Sequence, residues 1–483
     1  MALALALGGA PLGAAMVVPP GTPEMPDMCC PVTCDVGAAT CACEEDVMPG
    51  GCRCCLETFD DAGSVVPPGA VKETFYYDLG ELLNGEVRYT FPEDTLLDWP
   101  EGPGLIYKAL GDLVDENYEP LALSELYNHH GVMLQDPAYW WASDGSINSP
   151  QAVAQAGAAF ADGASVIGGS CSALSFNVAV GAESRNTAGM QQPPTNMGWV
   201  FPPNATYGGN FHVIDLRSVD DVGECIMCSC PYMTENNSGR GEGNPGYVNS
   251  NFPGGGAQCC PNESRCGVTE ELEPKQYYYR YTLIYYPDGA FPEDWENVVY
   301  TVQSLQVNRE GGPIQQGYYP CYVEYDTPAC DVPDPALDAV VPQPTVCSVS
   351  GPPTSSYANL YTFEEDTLVY SMWAHLHLGG LHMSAYKGTE AGDPDALVCR
   401  MQALYGNGGD TPGDAEGFLV DITACYFDPP LEFAKGDNVT VVSEYAASAA
   451  GDELTDVMLF PAPYLGAMAY WEMFSTPAPG KNF

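Results

Sequence analysis

The segment at 276–286, Q-Y-Y-Y-R-Y-T-L-I-Y-Y, constrains the fold most strongly, because it suits a β-strand and little else. Tyrosine, threonine and isoleucine favour extended backbone, where their side chains pack well on a pleated surface. Similar runs recur along the chain and are separated by turn residues such as Asn84-Gly85. The 30 tyrosines, 52 glycines and 43 prolines also favour short strands with many turns. We therefore predict an all-β chain.

The predicted strands form two groups, which indicates two β-domains. A length of 483 residues allows two to three domains that each bury a core. Repeated prolines at 331–356, in D-V-P-D-P, V-P-Q-P and G-P-P, are typical of a linker. We predict a first β-domain at 71–330 and a second at 357–475. The stretch at 137–198 is rich in small and polar residues and predicts long loops with one short helix near 152–160.

The 20 cysteines indicate an oxidising compartment, since cytosolic proteins rarely keep so many thiols. Eight of them lie in a small module at 21–67, which has little apolar sequence to bury. We predict that this module is held by disulfides. A zinc site is the alternative, although the module contains no histidine.

The remaining cysteines allow one specific prediction. Cys399 and Cys425 are the only cysteines of the second predicted domain, and we predict a disulfide between them. The run C-I-M-C-S-C at 225–230, followed by Cys259-Cys260 and Cys266, is compatible with disulfides or with a zinc knot.

Several features predict that the protein is secreted. Residues 1–20 have the apolar run and small residues of a signal peptide, although they lack its positively charged start. No later segment approaches the roughly 18 uninterrupted apolar residues of a transmembrane helix, so we predict no transmembrane segment. Four Asn-x-Ser/Thr sequons are compatible with glycosylation: Asn204, Asn236, Asn262 and Asn438.

The charge of the chain excludes one large class of partners. With 64 acidic and 15 basic residues, the net charge is -49. Such a surface repels phosphate backbones, so we predict no nucleic-acid binding. Anionic membranes are poor partners for the same reason.

Histidine is rare in this chain, and its distribution points to a metal. Only 6 histidines occur, and three of them lie in S-M-W-A-H-L-H-L-G-G-L-H at 371–382. His375 and His377 are two apart in a predicted strand, so both imidazoles face one side, with spacing that suits one transition-metal ion. His129 and His130 are adjacent and can share an ion only at a bend or bulge, which the following glycine favours. We hypothesise two copper sites, one on each β-domain.

Two histidines have competing interpretations. His212 lies in the predicted strand N-F-H-V-I-D-L-R, where a single histidine is more often a core residue than a ligand. His382 follows Gly379-Gly380, and we predict that it faces away from His375 and His377 as a surface residue or an outer neighbour of the site.

Together, these landmarks resemble the stress-up-regulated Nod-nineteen family, best known from plants. The resemblance runs from F-Y-Y-D at 75 to a little beyond Tyr445 and excludes the module at 21–67. Its order and spacing hold across both predicted domains. The landmarks are H-H at 129–130, F-H-V-I-D-L-R at 211–217, G-E-C-I-M-C-S-C at 223–230, C-C at 259–260, Y-R-Y-T at 279–282, V-E-Y at 323–325, A-H-L-H-L-G-G at 374–380, Y-G at 405–406, C-Y at 425–426 and S-E-Y at 443–445.

That family in turn looks like the two-domain copper monooxygenases that hydroxylate glycine-extended peptides or dopamine. This resemblance implies two tandem antiparallel β-sandwich domains, jelly-roll-like, each with one copper. It implies a first site of His129, His130 and His212, so that His212 becomes a ligand. It implies a second site of His375, His377 and a methionine, which Met458 in T-D-V-M-L-F at 455–460, a segment that we predict to be a strand, matches by position.

The predicted ligand types suit these roles chemically. Imidazole binds both copper oxidation states, and a thioether favours Cu(I), as expected of a copper that meets dioxygen. Core packing is the alternative for Met458, because a methionine between valine and leucine usually fills space.

Three functions are compatible with this sequence. The first is a secreted copper monooxygenase that uses ascorbate to hydroxylate a small molecule or peptide, although no catalytic residue can be assigned. The second is a non-catalytic extracellular protein of a cell wall or surface coat. In the third, the histidines bind zinc and stabilise the fold. No P-loop, H-E-x-x-H, G-x-S-x-G or EF-hand motif is present.

Overall fold

The computed structural model describes residues 66–90, 94–135, 176–180, 197–204, 206–226, 265–293, 295–297, 299–304, 324–331, 345–348, 350–406, 415–462 and 464–478. Over these residues the chain is nearly all β, which confirms the predicted fold class. The predicted module at 21–67, the helix near 152–160, and Cys228, Cys230, Cys259 and Cys260 lie outside them, except for residues 66 and 67.

The strands of the first part of the chain are β1 (Val71–Leu82), β2 (Val87–Tyr89), β3 (Gly104–Asp115), β4 (Leu126–Gln135), β5 (Phe176–Val180), β6 (Met197–Phe201), β7 (Tyr207–Asp215), β8 (Lys275–Pro287), β9 (Glu296–Asn297), β10 (Val299–Ser304) and β11 (Glu324–Thr327). A short helix, α1 (Val222–Ile226), follows β7. The tyrosine-rich segment forms β8, as predicted.

The strands of the second part are β12 (Thr345–Ser348), β13 (Thr354–Thr362), β14 (Thr367–Leu376), β15 (Gly380–Lys387), β16 (Leu397–Tyr405), β17 (Leu419–Ile422), β18 (Cys425–Phe433), β19 (Asn438–Ala446) and β20 (Tyr464–Pro477). The segment T-D-V-M-L-F at 455–460, which was predicted as a strand, instead consists of turns and bends. Its backbone folds back on itself, with Asp456 N donating to Asp452 O and Met458 N to Thr455 O.

Two sheets build the first half. One has the order β1-β8-β3-β6-β9 and the other β2-β7-β4-β5, with antiparallel pairing except between β6 and β9. A shared core contains Leu113 and Tyr279 from the first sheet and Met133 and Phe211 from the second. The rings of Phe211 and Tyr279 stack with centroids 4.1 Å apart. The two sheets therefore meet face to face through alternate residues of their strands.

Two further sheets build the second half. Their orders are β10-β20-β14-β18, with β11 also paired to β20, and β12-β13-β19-β15-β16-β17. Met372 and Trp471 of the first sheet share a core with Met383 and Val441 of the second. Strands β10 and β11 precede the predicted linker, yet they hydrogen-bond to β20 near the end of the described chain. Chain on both sides of residues 331–356 thus contributes to one sheet.

The two halves also share apolar packing. Tyr127 of β4 belongs to the core of the second half, where its ring lies 5.9 Å from that of Phe418. Trp373 of β14 and Phe474 of β20 belong to the core of the first half. Each half therefore packs around aromatic side chains of the other. Of these, Tyr127 lies two residues before His129, and Trp373 lies two residues before His375.

Disulfides connect three pairs of described cysteines. Cys399 is bonded to Cys425, the pairing favoured from the sequence, and the other pairs are Cys225–Cys266 and Cys330–Cys347. Because Cys225 and Cys266 are bonded to each other, their sulfur atoms are not thiolate ligands of a zinc knot. No helix among the described residues is long and apolar enough to cross a membrane.

Candidate metal centre

A β-bulge brings the adjacent histidines of β4 to one place. Strand β4 pairs with β7, and the register shifts between Asn128 and His130, so that His129 has no partner of its own in the ladder. Such a bulge turns a side chain away from its regular alternation. His130 then lies opposite His212 of β7. The bulge that His129 and His130 need in order to face one metal ion is therefore present.

The glycine after the pair lets a buried tyrosine pack against the backbone beside the bulge. A Cβ atom at Gly131 would lie 2.2 Å from the hydroxyl oxygen of Tyr279. The buried tyrosine of β8 therefore packs directly against the backbone of β4, and any larger residue at 131 would displace one of them.

The first three histidines form a compact and largely buried group. The ligand atoms of His129, His130 and His212 all lie within 4.8 Å of one another. Among the described residues, this is the one group of three or more histidine, cysteine, aspartate or glutamate side chains that comes so close. His212 is fully buried and its ring stacks on that of His129 at 4.2 Å. Its ring therefore packs against two other imidazoles and against Tyr89.

His375 and His377 come together at the end of β14. His375 lies on the strand and His377 immediately follows it, and their ring centroids are 5.1 Å apart. The His377 backbone N–H donates to Met468 O of β20 at 3.3 Å. A turn closes behind it, in which Gly380 N donates to His377 O.

The two histidine groups are in contact with each other. The rings of His129 and His377 lie edge to face with centroids 5.0 Å apart. Because His129 belongs to the first half and His377 to the second, five histidines form one cluster between the halves. We call His129, His130, His212, His375 and His377 the five-histidine cluster.

Burial lowers the pKa of three histidines of this cluster, which keeps them neutral. Desolvation lowers the pKa of His130 to about 4, against the hydrogen bond that its Nε2 donates to Asn210 Oδ1, which raises it. The pKa values of His129 and His212 lie well below the usual value, first because of burial and then because of neighbouring histidines. A neutral imidazole offers a nitrogen lone pair to a metal, and a protonated one does not.

The buried Nδ1 of His129 is a nitrogen of the cluster that a metal could bind. Nδ1 of His129 is buried and receives or donates no hydrogen bond among the described residues. An unsatisfied buried polar atom costs about 1–3 kcal/mol, so the site fits a metal ion that would bind this nitrogen.

Asn210 fixes the tautomer of His130. Asn210 Nδ2 donates to Thr90 O at 2.7 Å, so its Oδ1 faces His130 Nε2 at 2.9 Å and can only accept. His130 Nε2 therefore carries the proton, and Nδ1 is the nitrogen free to bind a metal. No sequence pattern indicates this partner, apart from its position two residues before His212.

We expect the Asn210→Ala variant to bind copper about 10- to 100-fold more weakly, because outer partners of metal-bound histidines have effects of this size. Asn210→Asp should bind nearly as well as the wild type, since its oxygen still accepts from Nε2. Competition titration with a copper chelator measures both. Unchanged affinity in Asn210→Ala would show that His130 does not bind through Nδ1.

Three buried tyrosines hold the turn that carries His377. The Tyr445 hydroxyl accepts from His377 N at 3.2 Å and donates to Met468 O at 2.5 Å. The Tyr405 hydroxyl accepts from Gly379 N and donates to Gly380 O. The ring of Tyr464 covers Gly379, whose φ is +90°. No sequence pattern indicates these tyrosines. The glycine pair Gly379-Gly380 is the only feature of the sequence that marks this turn.

Met458 lies in the turn segment before β20 and is largely buried. Its sulfur accepts a hydrogen bond from the Tyr464 hydroxyl at 3.3 Å. It also belongs to the core of the second half. Its role as a copper ligand therefore remains a prediction. A second methionine, Met468, lies opposite the end of β14, where its carbonyl accepts from His377 N.

His382 is the sixth histidine and lies apart from the cluster. It is on β15, opposite Gln402 of β16 and Glu444 of β19, with 4% of its surface exposed. Its prediction as a surface residue is wrong, because the sheet continues on both sides of β15 and encloses it. Burial, and then the charge of Arg400, lower its pKa to about 3.

We expect His382→Gln to reduce the acid sensitivity of the fold. The unfolded chain takes up a proton on this histidine near pH 6.5, and the folded chain only near pH 3, so wild-type stability falls as the pH drops between these values. The slope from one such group is about 1.4 kcal/mol per pH unit. From pH 7 to pH 5 the wild type should lose about 2 kcal/mol more than the variant. Urea unfolding of metal-free protein tests this, and equal losses would contradict it.

The two sequon asparagines in the described part of the chain, Asn204 and Asn438, differ in how exposed they are. Asn204 is exposed in a turn with φ +60°. Asn438 begins β19, where its Oδ1 accepts from the Thr362 hydroxyl at 2.7 Å. Asn236 and Asn262 lie outside the described residues.

Comparison with known proteins gives one extensive match. The model of the family described as Stress up-regulated Nod 19 matches residues 69–461. No curated protein matches the chain significantly. Among solved structures, the infectious bursal disease virus VP2 subviral particle aligns at 9% identity over 85% of this chain and 73% of that chain, with a TM-score of 0.14. A TM-score this low supports no inference about the fold.

Proposed function

The chain belongs to the Stress up-regulated Nod 19 family, and we propose that it is a secreted copper protein whose five-histidine cluster holds the metal. The observation that carries the proposal is the convergence of His129, His130 and His212 within 4.8 Å, with the buried Nδ1 of His129 unsatisfied. Secretion is supported by the three disulfides of the described chain.

The ligand types favour copper over other common metals. Calcium and magnesium prefer oxygen ligands, and structural zinc sites usually include thiolates. Five imidazoles suit copper in both oxidation states, and copper has the highest affinity of the divalent first-row ions for such a site. Lowered pKa values keep His129, His130 and His212 available as ligands even in mildly acidic medium.

The reaction that we propose is hydroxylation of a C–H bond in a small molecule or peptide by dioxygen. Ascorbate would be the external reductant that supplies the two electrons by which the second oxygen atom becomes water. When bound, copper would supply one-electron transfer and reaction with dioxygen. The protein would contribute neutral ligands, a fixed His130 tautomer, and partial exclusion of water from the cluster. His375, His377 and His130 are only partly buried, which leaves one side of the cluster open to solvent and to a substrate.

Two methionines are candidates for a sulfur ligand beside His375 and His377. Met458 matches the family position, but its sulfur is engaged by Tyr464. His375 lies opposite Tyr470 in the β14–β20 ladder, and Met468 is two residues before Tyr470 on β20. Residues two apart on a strand share a face, so Met468 lies on the face that carries His375.

We expect Met468→Leu to weaken Cu(I) binding at least about 10-fold, a difference of about 1.4 kcal/mol, and Met458→Leu to change it much less. Leucine preserves most of the volume of methionine, so the fold should tolerate both variants. A competition titration with a Cu(I) chelator distinguishes them. The opposite ranking would assign the sulfur to Met458, and no effect in either variant would exclude a thioether ligand.

Copper loading tests the proposal as a whole. The purified full chain is loaded with copper, the bound metal is counted, and ascorbate-driven oxygen consumption is followed with candidate small molecules and peptides. Copper bound at the cluster with substrate-dependent turnover supports the proposed oxidation. Copper without turnover supports a copper-binding protein of the cell wall or surface coat. Failure to bind copper, or stronger binding of zinc, would refute the proposal.

A further inference from the structure

We propose that the five-histidine cluster binds two metal ions as one magnetically coupled centre, rather than as two independent sites. This inference rests on the proposed copper function and concerns the arrangement of the ions. It starts from the contact between His129 and His377, whose ring centroids are 5.0 Å apart. His129 belongs to the first of the two sites expected from the sequence, and His377 belongs to the second.

The number of ligands is sufficient for two ions but poorly suited to one. His129, His130 and His212 already supply three nitrogens that converge. His375 and His377 add a second pair with centroids 5.1 Å apart. Biological copper usually has three or four strong ligands, so three histidines and a pair with one further ligand divide naturally between two ions.

The contacts between the groups leave little room to separate the two sites. His129 touches His212 at 4.2 Å on one side and His377 at 5.0 Å on the other. A single imidazole thus stands between the two groups. Ions held by the two groups would therefore be close neighbours, since the same imidazole borders both groups.

The surrounding packing holds the two groups together. Tyr127 is buried in the core of the second half and lies two residues before His129. Trp373 is buried in the core of the first half and lies two residues before His375. Phe460 of the second half also packs against Gly223 of α1, where a Cβ atom would lie 2.4 Å from its ring. Opening the cluster would require these contacts to break, so the groups should stay adjacent when metal binds.

Electron paramagnetic resonance of the full chain loaded with Cu(II) tests the inference. With the first equivalent we expect the signal of an isolated ion. With the second we expect a loss of integrated intensity per copper and the appearance of a half-field transition, because two nearby spins couple. The double variant His375→Ala/His377→Ala should bind one equivalent and keep full intensity. His382→Ala, which removes a histidine outside the cluster, should retain the coupled signal.

The other outcomes are distinguishable. Two bound equivalents with two full, uncoupled signals would overturn the coupled centre and leave the proposed copper function intact. A single equivalent bound by the wild type would likewise overturn it. No bound copper would overturn the proposed function and this inference together.

Discussion

Replacing His129 with alanine is expected to abolish specific copper binding, with a larger effect than any other single histidine substitution. His129 stacks on His212 at 4.2 Å and touches His377 at 5.0 Å, so it contributes to both histidine groups. Loss of a direct ligand should exceed the roughly 10- to 100-fold effect of losing an outer partner. The low pKa of His129 implies that the nitrogen is unprotonated and available at neutral pH.

Isothermal titration of metal-free protein with copper measures this effect. His382→Ala is the matched control, because it removes a buried histidine that lies outside the cluster. We expect the control to bind copper like the wild type, provided that circular dichroism shows both variants to be folded. Wild-type affinity in His129→Ala would contradict the assignment of this residue to the centre.

The second large effect is expected for Gly379→Ala, which should destabilise the fold and weaken copper binding together. Gly379 has φ +90°, and a Cβ atom there would lie 2.4 Å from the ring of Tyr464. Left-handed backbone costs an alanine about 1–2 kcal/mol, and overpacking typically costs about 1–3 kcal/mol more. The combined loss should therefore be about 2–5 kcal/mol. Because the turn begins at His377, the displaced backbone would also move this ligand.

Gly388 provides a control for the backbone component. Its φ is +107°, and nothing lies within 4 Å of the position that a Cβ atom would take. We expect Gly388→Ala to lower the free energy of unfolding only by the cost of the positive φ, about 1–2 kcal/mol. This variant should bind copper normally. Equal destabilisation in the two variants, measured by urea unfolding, would show that contact with Tyr464 does not restrain the turn.

Local sequence patterns predicted much of the fold and of the candidate site. Alternating and β-branched runs predicted β4, β7, β8 and β14, because strand residues have a period of two and strong side-chain preferences. The adjacency of His129 and His130 required a bulge, and the register shift provides it. The wrong strand prediction for 455–460 arose because a short apolar run looks alike in a strand and in a buried turn.

Other features depend on contacts between distant parts of the chain, which local patterns do not report. The sequence predicted two separate histidine sites, yet His129 and His377 are in contact across 248 positions of chain, the difference between their residue numbers. Asn210 and Tyr445 form hydrogen bonds with His130 and His377 from other strands. His382 is buried because strands pair on both sides of it, which its own segment could not indicate.

The central claim is that histidines from both halves of the chain gather around copper. Diffraction from crystals of the copper-loaded protein, collected at the copper absorption edge, tests this claim most directly. We predict anomalous peaks within the five-histidine cluster, next to the imidazole nitrogens of histidines from both halves. Copper peaks elsewhere, or a cluster whose two histidine groups lie far apart with no copper between them, would contradict it.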